Sequence, residues 1–364
     1  MSDVWFSDQV KETKQQTNTN SNNEIDEFGS YSARIAVIGI GGAGCNTISR
    51  LTEKGIEGAI TIAVNTDAKH LQITKAHKKV LIGKELTRGL GAGGYPEIGR
   101  KAAEESKAEL KKILEGMDMV FITAGEGGGT GTGAAPVIAR IAKEQGAIVI
   151  GVVTLPFKIE GARISKAEDG LMKLRQNCDT VIVIENQKLL KLAGDLPLKE
   201  AFSVADDLIA TMIKGITETI SQPSLVNLDY ADVKAVMQTG GVATIGVGES
   251  STENRAQEAV MKALNHPLLE VDYKGAKGAL IQVIGGENLK LDEVNEICEA
   301  VVQHLDPEAQ VIWGARVNPN FGNKVQVITI ITGVKSPYIL GPLDKSELRS
   351  TKSGYNSLGI EVIK

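Results

Sequence analysis

Six of the nine residues from Gly125 to Gly133 are glycine and two more are threonine. The segment follows the apolar run Met119-Val120-Phe121-Ile122 and precedes Ala134-Ala135-Pro136. Glycine at that density suits backbone that turns sharply or approaches another group closely. A strand end, a glycine loop and then a helix turn several N–H groups toward one point, an anion nest beside the positive end of the helix. Two hydroxyls in the same loop make it suited to a polyphosphate. No Gly-Lys-Ser/Thr follows, so it is not a Walker A loop. Pro136 is tolerated near a helix start, where its missing N–H would be unpaired anyway.

That unit recurs along the chain. Short apolar runs predict strands at 34–38, 60–64, 119–122, 147–153 and 180–184. Between them, helices are expected from Asn46 and over 97–114 and 136–144. Continuous apolar strands alternating with helices mean a parallel sheet covered on both faces. Apolar residues at helical spacing predict one long helix over 198–221, closed by Pro223. After Gly240-Gly241 come strand 242–247, helix 253–264, strand 278–284, helix 291–304 and strands 310–316 and 324–332. The expected fold is α/β: a Rossmann-like parallel-sheet domain, a long central helix and a smaller α+β C-terminal domain. At 364 residues the chain exceeds what one core usually serves. The expected division is an arm at 1–30, a nucleotide domain at 31–222, a second domain at 223–334 and a tail at 335–364. Polar residues dominate the arm, and its apolar residues are too few to offset the entropy of ordering.

Two further glycine clusters stand beside strand ends. Gly39-Ile40-Gly41-Gly42-Ala43-Gly44 matches GxGxxG, and Asp67 lies where a ribose-binding acid would stand, so an NAD-binding Rossmann oxidoreductase is a rival reading of this loop. No obvious His or Cys acid/base group accompanies it, and the Gly125–Gly133 segment favours a polyphosphate. The third cluster, Gly89 to Pro96, is placed to close over a terminal phosphate.

A formal charge of −5 gives no basic excess for gripping nucleic acid. Cys45, Cys178 and Cys298 are scattered and odd in number, against a disulfide framework or a zinc site. No stretch approaches a spanning helix and the N-terminus has no secretory apolar core. The expected location is the cytoplasm, without direct membrane insertion.

The GGGTGTG run resembles the signature of the tubulin/FtsZ superfamily, in its FtsZ form. The resemblance extends from about Arg34 to Val334 and is carried by further motifs in order. These are Gly39 to Gly44 (the first loop in chain order, Gly125 to Gly133 being called the second), Asn65-Thr66-Asp67, Gly89 to Pro96 (called the third), Leu155-Pro156-Phe157 with Glu160-Gly161, Asn186-Gln187-Lys188-Leu189-Leu190, Ala201-Phe202 with Asp206-Asp207, and Asn227-Leu228-Asp229-Tyr230-Ala231-Asp232.

This resemblance implies a GTPase that polymerises head to tail into the filaments of the cell-division ring, at mid-cell. A tubulin-like GTPase that controls cell shape is the alternative within the same superfamily. It implies GTP/GDP contacts from Gly41, Gly42, Ala43, Gly44, Cys45 and Asn46, from Ala92, Gly93 and Gly94, and from Gly128, Gly129, Thr130, Gly131, Thr132 and Gly133. Glu160 and Arg163 match the pair that holds the ribose and its neighbours. The spacing between them is one residue shorter than the family's usual one. Asn186 and Asp206 would read the base, with Phe202 packed on the ring, and Mg²⁺ would accompany the nucleotide. A carboxylate accepts two parallel N–H bonds from the guanine N1 and N2 edge, which adenine does not offer. Asn227, Asp229 and Asp232 would complete catalysis on the neighbouring subunit's nucleotide. The alternating tip Leu358, Ile360, Val362 and Ile363 looks like a peptide for a partner's groove. By resemblance, that partner is a membrane-tethering adaptor.

Overall fold

A computed structural model of the chain describes residues 33–222, 224–226, 228–238, 242–265 and 272–334. The expected arm at 1–30, Pro223, Asn227, Gly240-Gly241 and the tail at 335–364 lie outside the described residues. The first half runs β1 (Ile35–Ile40), α1 (Gly41–Glu53), β2 (Ala59–Asn65), α2 (Ala68–Ile73), β3 (Lys78–Leu81), α3 (Lys84–Thr87), α4 (Pro96–Glu105), α5 (Lys107–Leu114), β4 (Met119–Gly125) and α6 (Thr130–Glu144). It continues with β5 (Ile148–Leu155), α7 (Ala162–Asn177), β6 (Thr180–Glu185), α8 (Asn186–Ala193) and α9 (Leu198–Ser221). The second half holds α10 (Tyr230–Gln238), β7 (Val242–Ser250), α11 (Arg255–Leu264), β8 (Gly278–Gly285), α12 (Leu291–Val302), β9 (Gln310–Val317) and β10 (Val325–Thr332).

β1 is buried at every position, and β4 and β5 at nearly every one, because helices cover both faces of the sheet. On one face α4 to α7, with α11 and α12, enclose Ile38, Val120, Ile138 and Leu174. On the other, α1, α9 and α10 enclose Phe121, Ile48, Met212 and Met237. The strand order is β3-β2-β1-β4-β5-β6-β7-β10-β8-β9. Strands β1 to β7 are parallel wherever they pair with one another, and β10 is antiparallel to β7 and β8. Progression along the sheet reverses between β1 and β4, the switch point outside whose strand ends α/β proteins bind ligands. The first two glycine loops leave from those two strands.

The 31–222 and 223–334 portions share this one sheet. Within the sheet their junction is short, β6 pairing with β7 through Val181↔Val242 and Ile182↔Ala243, while both cores run across it.

Two helices begin earlier than their sequences suggest. α1 opens at Gly41 rather than Asn46, and α6 at Thr130 rather than Pro136. Intrinsic propensity disfavours glycine in these first turns, but packing requires it: a Cβ on Gly44 would lie 2.3 Å from the Thr123 carbonyl oxygen, and one on Gly133 would lie 1.9 Å from that of Pro96. Pro136 therefore stands inside α6 rather than at its start. The expected helix 97–114 is two helices, divided at Ser106, whose hydroxyl accepts the Gly83 N–H at 3.1 Å.

Candidate functional site

A cavity of about 640 Å³ opens at the carboxyl end of β4 and β5, within the range of small-ligand sites. Gly42, Ala43, Asn46, Asn186, Phe202 and Asp206, six residues singled out from sequence, line it together. They arrive from three helices. α1 supplies Ala43, Asn46, Thr47 and Arg50, the i, i+3, i+4, i+7 positions of one helix face. Asn186 opens α8 directly after β6, and α9 contributes Phe202 and Asp206, one turn apart. A Cβ on Gly42 would meet nothing within 4 Å. That glycine leaves room for a ligand rather than for packing.

Asp206 lies on the cavity wall and accepts a 2.6 Å hydrogen bond from the Thr47 hydroxyl. Burial pushes its carboxyl up to about 6, against the Thr47 bond and the Arg50 charge that hold it down. Asp207 behaves oppositely. Arg50 grips it through two bonds of 2.7 and 2.6 Å, which, with Lys54 at 2.7 Å, brings it down to about 2. Both acids thus tie α9 to α1, but Asp207 is held by two cations whereas Asp206, bonded to Thr47, also faces the cavity. The Phe202 ring stands edge-on to Phe157, centroids 5.9 Å apart, and is 40% exposed, leaving an apolar surface for a flat base.

The second loop is fastened from within. The Gly127 N–H donates to the Thr132 hydroxyl at 2.8 Å, and the Thr130 and Thr66 hydroxyls are 2.7 Å apart. A Cβ on Gly131 would approach the Gly125 carbonyl oxygen to 2.7 Å, whereas one on Gly128 would meet it only at 3.9 Å. Gly129 is where the third loop closes down: its Cβ would lie 2.8 Å from that of Ala92 and 2.9 Å from the Tyr95 nitrogen. Gly93 and Gly94 adopt positive φ in that loop, and Lys166 of α7 donates to the Gly94 carbonyl at 2.9 Å while lying over the Tyr95 ring.

Other expected ligands point elsewhere. Cys45 is fully buried with Ala63 and Leu71, and burial pushes its thiol up to about 11. The Gly41 and Gly44 faces are occupied by Gly131 and by Thr123. Thr132 is 2% exposed and its hydroxyl is engaged inside the loop. The Gly133 N–H is spent on the Gly129 carbonyl. These residues shape the nest rather than line the cavity. Glu160 and Arg163 pair with each other at 2.6 Å, and Glu160 also accepts the Phe157 N–H at 2.8 Å. The Arg163 backbone borders Gly127. Asp67, the candidate ribose acid of the NAD reading, caps α2 by accepting the His70 N–H at 3.0 Å.

Asp229 and Asp232 stand at the start of α10 and cap one another's backbone, with bonds of 3.1 and 2.8 Å. Two anchors place them. The Tyr230 hydroxyl donates to the Asp118 carbonyl at 2.8 Å, just before β4, and Val226 exchanges two backbone bonds with Ala315 at the β9 edge. β4 begins at this end and delivers the second loop at the other, ~20 Å away at the standard rise of a strand. α9 gives the same answer: fifteen residues separate Asp206 from Ser221, ~22 Å of helix. Within one chain the two acids and the cavity lie at opposite ends.

Sequence reasoning missed Thr47, Arg50, Lys166 and Glu126. For Thr47 and Arg50 the signal was helical spacing from Ala43, hidden once α1 was started at Asn46.

The Tubulin/FtsZ family GTPase-domain model matches residues 34–194, and the FtsZ family C-terminal domain model matches residues 241–335. "Cell division protein FtsZ 2" of Methanocaldococcus jannaschii is 61% identical over 319 residues, covering 87% of this chain and 83% of that one. "Cell division protein FtsZ 1" of Thermococcus kodakarensis is 58% identical over 307 residues, covering 84% and 82%. Among solved structures, the FtsZ dimer of M. jannaschii superposes with a TM-score of 0.78 at 52% identity, covering 90% of this chain and 92% of that one.

Proposed function

The chain belongs to the FtsZ family of tubulin-like cell-division GTPases, and on that premise we propose that its active site is completed only when two copies meet head to tail. The reaction is GTP plus water to GDP and phosphate. The observation that carries the proposal is the separation of the cavity from Asp229 and Asp232 by the lengths of α9 and β4. One subunit holds the nucleotide, and the next brings Asn227, Asp229 and Asp232 to the γ-phosphate.

In this reading Asp206 and Asn186 take the guanine edge, Phe202 packs on the ring, and Glu160 and Arg163 flank the ribose. N–H groups of the first and second loops hold the phosphates, and the third loop closes over the last of them. The acids orient the attacking water, in keeping with phosphoryl transfer, where positioning and charge stabilisation dominate. Mg²⁺ would arrive with the nucleotide: the loops offer backbone and the Thr66 and Thr130 hydroxyls, which fits a metal held mainly by phosphate and water. It would offset phosphate charge.

Head-to-tail contact is heterologous and generates open filaments. The curated relatives named for cell division favour a division ring at mid-cell over a role in cell shape. A tail ending in Leu358, Ile360, Val362 and Ile363 would take the filament to a membrane-tethering adaptor. We take 31–222 and 223–334 as the two functional portions, α9 running between them.

GTP turnover per molecule, measured against protein concentration, tests the shared site. Turnover should rise steeply with concentration alongside light scattering that GTP induces and GDP does not. A rate per molecule independent of concentration would sink it.

A further inference from the structure

One acidic side chain of the second loop has no place in the chemistry above. Glu126 directly precedes Gly127 and is 5% exposed, and neither carboxyl oxygen makes a hydrogen bond of normal geometry among the described residues. Its backbone N–H extends the β4–β5 pairing by donating to the Thr154 carbonyl at 2.9 Å. Its side chain enters a notch in α7. A Cβ on Gly170 would lie 2.4 Å from Glu126 Oε2 and 2.3 Å from Thr132 Cγ2. Glycine inside a helix is unfavourable by itself, and here the space it leaves is filled by the Glu126 carboxyl and the Thr132 methyl. Thr132 in turn accepts the Gly127 N–H. Gly127, Thr132, Glu126 and Gly170 form a clasp between the phosphate loop and the helix that carries Arg163.

A buried anion at this place would oppose a triphosphate. The charged and titratable groups facing Glu126 make matters worse for its ionised form: Asp169 on α7 and Cys178 just beyond it, while α6 contributes only the Thr132 hydroxyl and β5 a backbone carbonyl. The cations in the groove beside Thr132 and Gly170 are committed elsewhere: Lys173 to Asp169 at 2.6 Å, Arg100 to Glu97 at 2.6 Å and Arg140 to Glu104 at 2.5 Å.

We propose that Glu126 is a positioning residue of the phosphate loop that works as the neutral acid, so that nucleotide binding to this loop is coupled to a proton held in the Gly170 notch. The inference rests on the second loop holding the polyphosphate. Burial pushes the Glu126 carboxyl up to about 8, with the Thr132 hydroxyl offsetting part of the rise and Asp169 adding to it. A nucleotide would raise it further. Binding is then strongest where Glu126 is protonated and is lost as pH rises through that value.

The test is calorimetric titration of the full chain with GDP between pH 7 and 8.5, in buffers of different ionisation enthalpy. The parent should take up about half a proton per nucleotide at pH 8 and lose about fourfold in affinity by pH 8.5, by proton linkage. Glu126→Gln, a neutral isostere, should bind as tightly at pH 7, take up no proton and show a flat profile. Absence of proton uptake by the parent would overturn the proposal, even if the variant failed to fold. So would a folded Gln variant that keeps the parental pH profile or loses affinity at every pH. Failure of the parent to bind GDP at any pH would overturn the reading of the site itself, and this inference with it.

Discussion

Asp206 predicts that one substitution will stabilise the empty protein and disable it at once. Its carboxyl is raised from 3.8 to about 6, a shift worth ~3 kcal/mol at ~1.36 kcal/mol per unit. An acid whose folded-state pKa is raised works against folding above that pKa, because the fold must bury a charge that the unfolded chain exposes. Asn carries no such cost, and its amide oxygen can keep the Thr47 bond. Asp206→Asn should therefore stabilise the nucleotide-free protein by about 1–3 kcal/mol at pH 7.5, the lower end allowing for screening by solvent. The gain should shrink as pH falls through about 6 and vanish below 3.8, where Asp206 is protonated in both states. Guanine binding should move the other way. An amide presents one acceptor and one donor to an edge that offers two donors, leaving a buried clash worth ~3–5 kcal/mol, a loss of ~10²–10⁴ in affinity. Xanthine has oxygen in place of the 2-amino group, so the variant should prefer XTP. Thermal denaturation without nucleotide, and equilibrium binding of GTP and XTP, measure both halves. A variant no more stable than the parent, with GTP affinity intact, would refute the placement of Asp206 against the base.

Because the base needs the ionised Asp206, GTP affinity of the parent should fall roughly tenfold per pH unit below about 6, read by equilibrium binding between pH 7 and 5. Gly133→Ala forces a Cβ to 1.9 Å from the Pro96 carbonyl oxygen and should cost ~3 kcal/mol or more, whereas Gly42→Ala meets open space and should fold normally while losing ~10-fold or more in GTP affinity. Denaturant unfolding separates the two. Arg255, buried between Glu293, Asn288 and the Asn323 carbonyl, should cost ~3–5 kcal/mol when replaced by Ala, since Glu293 is left unpaired. That loss belongs in the unfolding midpoint, with guanine affinity per folded molecule unchanged.

The strands of the first half were legible because each is an apolar run long enough for a parallel sheet. β3 was not: it is a short edge strand led by Lys78 and Lys79, with no apolar period to read. α7 escaped for the opposite reason, since its sequence is largely polar and only Ala167, Gly170, Leu171 and Leu174 face inward. The two glycine-rich helix starts were hidden by local propensity, which packing against Thr123 and Pro96 overrides. The same misplacement limited the site. Reading 41–46 as a loop makes every residue a candidate ligand, whereas a helix sends Cys45 to the core and Ala43 and Asn46 to the cavity. Chemistry and resemblance together identified Asn186, Phe202 and Asp206. Nothing in sequence pairs Thr47 with Asp206 across 159 positions, or fits Glu126 to a missing Cβ on Gly170.

The central claim is that each nucleotide is hydrolysed by acids from another copy of the chain. Two variants test it when mixed. Asp232→Ala keeps the GTP cavity and lacks the catalytic acid, while Asp206→Asn keeps the acid and, supplied with XTP, assembles without taking GTP. With both nucleotides present, neither variant alone should release GDP, and an equimolar mixture should, because GTP on one subunit meets Asp232 of the next. A mixture as silent as its components, or Asp232→Ala alone hydrolysing GTP at the parental rate, would contradict the account.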